Sequence, residues 1–244
     1  MKKVAIIQAR CGSTRFPNKV FINIDGFPLI WHVVNRLSYA KKIDEIVVAT
    51  TINTLDDSIV EWCNKNDVVY YRGSETDVLN RYYNAAVKSE ADVIIRITAD
   101  DPFKEPAVID KVINTLLENY YDLVTNNYPP SFPEGLDCEA FTFETLEKME
   151  KSTDDAFERE HVTQYAYHNP NIFRIGNVNN EIDLSSYRWT IDNKEDYEMV
   201  NLIYKNRDKS NKGLLCMDEI LTILRDNPDI SRINSNVKRS AMYQ

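Results

Sequence analysis

The chain is 244 residues long, 43% apolar and 27% charged, which is ordinary for a globular protein with one sizeable core. Its 29 Lys and Arg against 38 Asp and Glu give a net charge of −9, which excludes a general nucleic-acid binder, since that function needs a basic surface to meet the phosphates. No stretch approaches the roughly 18 apolar residues that span a bilayer, so no membrane partner is expected.

The apolar run Val4-Ala5-Ile6-Ile7 stops at Gln8 and Arg10, too soon for a secretory signal. Cys11, Cys63, Cys138 and Cys216 lie far apart and form no C-x-x-C pair. Reduced thiols in a cytoplasm are the expectation, rather than a disulfide framework or a zinc knuckle.

In chain order, Lys3–Gln8 reads as a buried strand, Leu29–Tyr39 as an amphipathic helix and Glu45–Thr50 as a second strand. Thr54 opens T-x-x-D with Asp57, a start for a helix through about Asn64. Val68–Tyr71 is a third strand, Asp77–Ser89 a helix and Asp92–Thr98 a fourth strand. Pro106 opens a helix to about Asn119, and Leu123–Thr125 is a further short strand. This alternation predicts an α/β fold with a mainly parallel sheet covered on both faces. Such sheets bind ligands beyond the carboxyl ends of their strands.

The second half is less regular. Three prolines in Tyr128–Pro133 exclude a central strand there. Glu139–Phe143, Phe173–Asn177 and Tyr187–Thr190 look like strands, and Phe143–Lys151, Ala156–Asn169, Glu195–Asn206 and Met217–Asp226 like helices. The region from about 128 to 190 is expected to form a lobe on the main sheet.

The chemistry-bearing features follow the strands. Before the first acid, Asp25, come Lys2, Lys3, Arg10, Arg15 and Lys19, a local reversal of sign. The loop Ala9-Arg10-Cys11-Gly12-Ser13-Thr14-Arg15-Phe16-Pro17-Asn18-Lys19 leaves the first strand. Arginine forks, a lysine point charge and turning backbone amides hold a polyphosphate in this way. The same residues also fit a solvated basic loop. The fourth strand ends in Thr98-Ala99-Asp100-Asp101-Pro102, and Arg188-Trp189-Thr190-Ile191-Asp192 ends in another acid before a helix. A hard cation such as Mg²⁺ takes one or two carboxylates plus phosphate oxygens and water. Capping is the other reading, of the turn before Pro102 for Asp100 and Asp101, and of the following helix for Asp192. Spacing does not show that Asp100 and Asp192 meet.

Together, A-R-x-G-S-T-R-x-P-x-K after the first strand, D-x-P near residue 100 and I-D-x-x-E-D near residue 192 resemble the CMP-sugar synthetase-like cytidylyltransferases. The nearest branch is the SpsF type, the spore coat polysaccharide biosynthesis protein F. Arg72–Tyr83, Gly135–Glu139 and Arg159–Thr163 also resemble that branch, and the likeness runs in order over about residues 3–200. It implies one GT-A-like nucleotidyltransferase domain over residues 1–244. It also implies Mg²⁺-dependent transfer of CMP from CTP to a small anionic acceptor, in cell-surface polysaccharide precursor synthesis. An acceptor oxygen attacks the α-phosphorus and pyrophosphate leaves.

By position, the resemblance gives Arg10, Ser13, Arg15 and Lys19 to the triphosphate, and Gly12 to a close backbone approach. Asp100 and Asp192 would bind Mg²⁺, with Asp101 ranked below Asp100. Arg72, with backbone around Ala9 and Thr98, would face the base. Asp137, Glu139, Arg159, His161 and Arg188 would line the acceptor side, although His161 also fits a packed or surface histidine. A sugar acid, a sugar phosphate or another phosphorylated small molecule remains open as the acceptor. A homodimer through the later lobe is a further implication. Asn18 departs from the family's frequent Gly, Phe16 from its Leu, and Ala99-Asp100-Asp101-Pro102 from its Gly-Asp-x-Pro. Two other readings stay open: a GT-A glycosyltransferase using a nucleotide-sugar, and a non-catalytic nucleotide-binding module.

Overall fold

The structure is a computed structural model that describes residues 1–13, 15–210 and 213–238. Thr14 of the basic loop lies outside the described residues.

The first strand, β1 (Lys3–Gln8), alternates its apolar residues between two cores, Ala5 and Ile7 on one face and Val4 and Ile6 on the other. A small hairpin follows, β2 (Asn23–Ile24) and β3 (Phe27–Pro28), leading into α1 (Leu29–Leu37). Its two-residue strands are too short to leave an apolar pattern in the sequence. Next come β4 (Glu45–Thr51), α2 (Asp57–Lys65), β5 (Val69–Gly73) and α3 (Val78–Lys88). Helix α2 is entered through a 3-10 turn over Thr54–Asp56, and the cap is Asn53, whose side chain accepts from the Leu55 amide, rather than Thr54. Asp77 caps α3 as expected of an acid at a helix start. Then follow β6 (Val93–Thr98), α4 (Pro106–Glu118) with Pro106 in its first turn, and β7 (Leu123–Thr125).

The second half supplies β8 (Glu139–Thr142), α5 (Phe143–Ser152), α6 (Ala156–His161), α7 (Gln164–His168) and β9 (Ile175–Asn177). Helices α8 (Lys194–Lys205), α9 (Met217–Asp226) and α10 (Pro228–Arg232) close the chain. Two expectations fail here. The helix expected over Ala156–Asn169 breaks at Val162, a buried residue at φ 60. A β-branched residue in that region is strained and persists only where its surroundings hold it. The strand expected over Tyr187–Thr190 forms only one bridge, Arg188 to Glu134. Its amides turn to two different segments: Trp189 donates to the Glu134 carbonyl at 2.7 Å and Ile191 to the Asp100 carbonyl at 2.9 Å.

The main sheet has seven strands in the order β5-β4-β1-β6-β8-β7-β9. It is mixed and mainly parallel, with β8 antiparallel to both neighbours. Two strands from the 128 to 190 region, β8 and β9, thus lie within the same sheet as β1. Helices α1, α2, α4, α8, α9 and α10 pack on one face, and α3, α5 and α7 on the other. Tyr82 of α3 is fully buried and donates to the carbonyls of Ile6 and Ile97, so it is a core residue bridging two strands.

Register decides where the site forms. Gln8 pairs with Ala49 and Thr98, so β1, β4 and β6 end together. Because β8 runs the other way, Glu139 at its start pairs with Arg96 of β6 and Thr125 of β7. One edge of the sheet therefore gathers the ends of β1, β6 and β7 and the beginning of β8.

Candidate active site

A cleft of about 300 Å³ opens on that edge, and a smaller compartment adjoins it. Both are bordered by Gln8, Ala9, Arg10, Arg15, Thr98, Asp100 and Asp192; the compartment adds Ser13 and Lys19.

Lys19 joins the two distant acids. Its Nζ lies 2.8 Å from Asp100 Oδ2, 2.8 Å from Asp192 Oδ1 and 3.1 Å from the Ile191 carbonyl. Burial disfavours the ammonium, but the two carboxylates outweigh it and hold the Lys19 pKa above its ordinary value. Burial likewise pushes Asp100 upwards, and Lys19 overrides it, so the Asp100 carboxyl sits below the usual range. Arg15, two-thirds exposed, reaches Asp192 Oδ1 at 3.2 Å. Asp192 is not the cap of α8: Asn193 is, accepting from the Asp196 amide at 2.9 Å.

The basic loop is pinned from below. The Cys11 amide donates to Asp56 Oδ1 at 2.7 Å, and the Thr51 hydroxyl donates to Asp56 Oδ2. The Cys11 carbonyl accepts from the amides of Ser13 and Asn18. Asn18 stands at φ 56, a left-handed conformation that Gly adopts freely and Asn tolerates. Gly12 borders neither compartment; a Cβ there would come no nearer than 3.7 Å to Glu75 Oε1. Arg10 lies 3.8 Å from Glu75 Oε1 and is about half exposed.

Asp101 points to a different partner. It accepts from the Thr98 hydroxyl at 2.9 Å and pairs with Lys104 at 2.8 Å. Burial pushes its carboxyl upwards, and Asp100 and Asp137 act in the same direction. Lys104 is 1% exposed, and its ammonium also donates to the Asp137 carbonyl. It thereby ties the β6 end to the loop before β8. Gly135 in that loop has φ 105, and a Cβ there would stand 2.7 Å from the Thr190 amide nitrogen. Only Gly lets this loop run so close to the segment that presents Asp192.

On the proposed acceptor side, Asp137, Glu139 and His161 do border the cleft, along with Arg81, Arg96 and Glu160. Glu139 is buried and occupied: it pairs with Arg96 at 2.6 Å and accepts from Thr163 and, at 2.6 Å, from Tyr167. Burial lowers the His161 pKa, which favours the neutral ring.

Three arginines stand elsewhere. Arg72 donates to the carbonyls of Thr51 and Asn53 and pairs with Asp57 at 2.7 Å, bracing the turn into α2. Arg159 is taken up by Asp77 and Glu150, both at 2.9 Å, and locks α6 to α3 and α5. Arg188 is buried behind Asp192 and borders neither compartment. In each case the tertiary partners of the guanidinium decide, and the sequence does not show them. Conversely, Asp56 and Lys104 carry the geometry without having stood out. Arg96 left a signal, a charge inside the buried run Val93-Ile94-Ile95-Arg96-Ile97.

The model of the family described as cytidylyltransferase matches residues 4–230. The chain belongs to the cytidylyltransferase family. An uncharacterized protein of Methanocaldococcus jannaschii is 40% identical over 99% of this chain and 98% of its own. The spore coat polysaccharide biosynthesis protein SpsF of Bacillus subtilis is 32% identical over 92% of this chain and 94% of its own. The solved structure of a cytidylyltransferase from Leptospira borgpetersenii superposes with a TM-score of 0.88 at 32% identity, covering 98% of this chain and 99% of that one. As a cytidylyltransferase the protein is a nucleotidyltransferase enzyme, which decides against the glycosyltransferase and the non-catalytic readings. Among the described residues no helix is long and apolar enough to cross a membrane.

Proposed function

We propose that the protein transfers CMP from CTP to a small, hydroxyl-rich anionic acceptor, releasing pyrophosphate, in the synthesis of cell-surface polysaccharide precursors. The observation that carries this reading is the meeting of Lys19 with Asp100 and Asp192 at 2.8 Å each, at the end of a cationic loop. The polysaccharide context comes from the relation to SpsF.

The family implies a divalent cation, Mg²⁺. The donor set fits one: two carboxylates already converge on a single positive charge. Among the described residues no cluster of three or more His, Cys, Asp or Glu forms a complete cage, so phosphate oxygens would complete the coordination. Bound there, the ion would neutralise charge on the triphosphate.

In the reaction an acceptor oxygen, either an anionic phosphate oxygen or a sugar hydroxyl that loses its proton to water, forms a bond to the α-phosphorus. The bond from that phosphorus to the bridging oxygen breaks, and its electron pair leaves with pyrophosphate. Lys19, charged throughout the physiological range, and Arg15 line the same compartment, where they would meet the triphosphate and the charge that develops on the leaving group. Arg10 and Ser13 add donors along the same loop. Asp137 and Glu160 also border the cleft, and carboxylates accept hydrogen bonds. They suit the hydroxyls of a sugar acid or sugar phosphate.

The test is incubation with CTP, Mg²⁺ and a panel of nonulosonic acids, sugar phosphates and polyol phosphates, read by pyrophosphate release and phosphorus NMR. The expected result is acceptor-dependent pyrophosphate and a CMP-linked product. Failure of CTP to react with every acceptor, alongside turnover of a nucleotide-sugar, would overturn the proposal.

A further inference from the structure

Arg188 was expected at the acceptor, yet its guanidinium has no nitrogen left for one. Nη1 pairs with Glu134 at 2.7 Å, Nε donates to Asp196 Oδ1 at 2.9 Å, and Nη2 reaches Asp196 Oδ2 and Asp192 Oδ2, both at 3.0 Å. The side chain is 7% exposed. One planar cation therefore faces three carboxylates, so the cluster keeps a surplus of negative charge.

The two oxygens of Asp192 have divided roles. Oδ2 is held from behind by Arg188, while Oδ1 faces Lys19 at 2.8 Å and Arg15 at 3.2 Å. The backbone of Asp192 is fixed from the same side, because its amide donates to Asp196 Oδ2 at 3.0 Å. Asp196 is fully buried. It is steadied in turn by Asn234, whose side-chain amide donates to Asp196 Oδ1 at 2.9 Å and to the Arg188 carbonyl at 3.0 Å. Asn234 is 4% exposed and lies beyond α10, far along the chain from the basic loop.

We propose that Arg188 is a positioning residue for Asp192, braced by Asp196 and Asn234, that turns the Oδ1 oxygen towards the cation and triphosphate position. The brace makes the segment after α10 part of the site's support. A carboxylate pinned at one oxygen and at its own amide keeps one rotamer, and its free oxygen is presented at a fixed place. The proposal rests on the reading of this cleft as the site of a cation-dependent CTP transferase.

The experiment compares Arg188→Gln, Arg188→Lys and Asn234→Ala with the parent chain, using Mn²⁺ as the probe ion. Two affinities are measured: Mn²⁺ for the protein saturated with CTP, by electron paramagnetic resonance, and CTP alone in chelator, by calorimetry. A residue that orients a metal-binding carboxylate costs about 10- to 100-fold in metal affinity when removed. Arg188→Gln is expected to weaken Mn²⁺ by at least about tenfold, while metal-free CTP binding changes by less than about twofold. Arg188→Lys recovers part of the loss, and Asn234→Ala shows a smaller loss of the same kind. Should Arg188→Gln fail to fold, the Lys and Asn234 variants carry the comparison. Unchanged Mn²⁺ affinity in the folded variants overturns the proposal, as does an equal loss of Mn²⁺ and metal-free CTP binding. If the parent chain itself shows no Mn²⁺-dependent CTP binding, the reading of the cleft fails instead.

Discussion

The ammonium of Lys19 lies 2.8 Å from Oδ2 of Asp100, across 81 residues of sequence. The pairing joins the end of the basic loop to the end of β6, and the same nitrogen brings in Asp192. A cation and two acids that no spacing rule connects thus share one compartment.

Replacement of Lys19 by Met tests its role in charge stabilisation. Turnover with CTP should fall by at least about tenfold, since loss of one such donor typically costs more than that. A steady-state assay under saturating Mg²⁺ checks it, and unchanged turnover would remove Lys19 from the reaction.

The same variant changes the acid branch of the stability curve. In the parent chain Lys19 holds the Asp100 carboxyl below its ordinary value. That contribution is present above the ordinary Asp pKa of about 3.9 and is lost as pH falls below it. Without Lys19, burial drives the Asp100 carboxyl upwards, so the buried charge becomes a cost as pH rises through its new value. Denaturant titrations from pH 3 to 7 should show parent stability rising with pH over a range where the Met variant gains less or declines.

Gly135→Ala should be among the costly small substitutions. Its Cβ would stand 2.7 Å from the Thr190 nitrogen, in a left-handed conformation. A loss of about 3 kcal/mol is expected from strain and displacement. A calorimetric melt should show the midpoint lower by about 5 to 10 °C. A variant as stable as the parent would mean that the loop can move away from the Asp192 segment freely.

Asp56→Ala removes the acceptor for the Cys11 amide and the Thr51 hydroxyl. Two buried donors are left without it, a cost of about 1 to 3 kcal/mol each. The loop bearing Arg10, Ser13 and Arg15 should loosen, and calorimetry should show CTP binding weakened severalfold. Parent-like affinity would show that the loop holds its shape unaided.

The legible parts of the fold were those written by short-range pattern. Val4–Ile7 and Val93–Ile95 are apolar runs bounded by polar residues, and both lie in strands ending at the site. The basic loop announced itself by reversing the local charge sign. Pairings across the chain left no comparable trace. Arg72, Arg159 and Arg188 look alike in sequence to Arg15, yet acids elsewhere in the fold take up their forks. The break at Val162 is equally silent, because a helical pattern continues through it and only packing around the buried side chain holds the left-handed turn. Lys104 carries no periodic signal, and its burial beside Asp101 and Asp137 is purely tertiary.

The most direct measurement is anomalous diffraction from crystals grown with Mn²⁺ and a non-hydrolysable CTP analogue. A peak bridging the carboxylates of Asp100 and Asp192, with the triphosphate running along Lys19 and Arg15, is the predicted result. A nucleotide seated elsewhere, or a manganese peak away from both acids, would contradict the account.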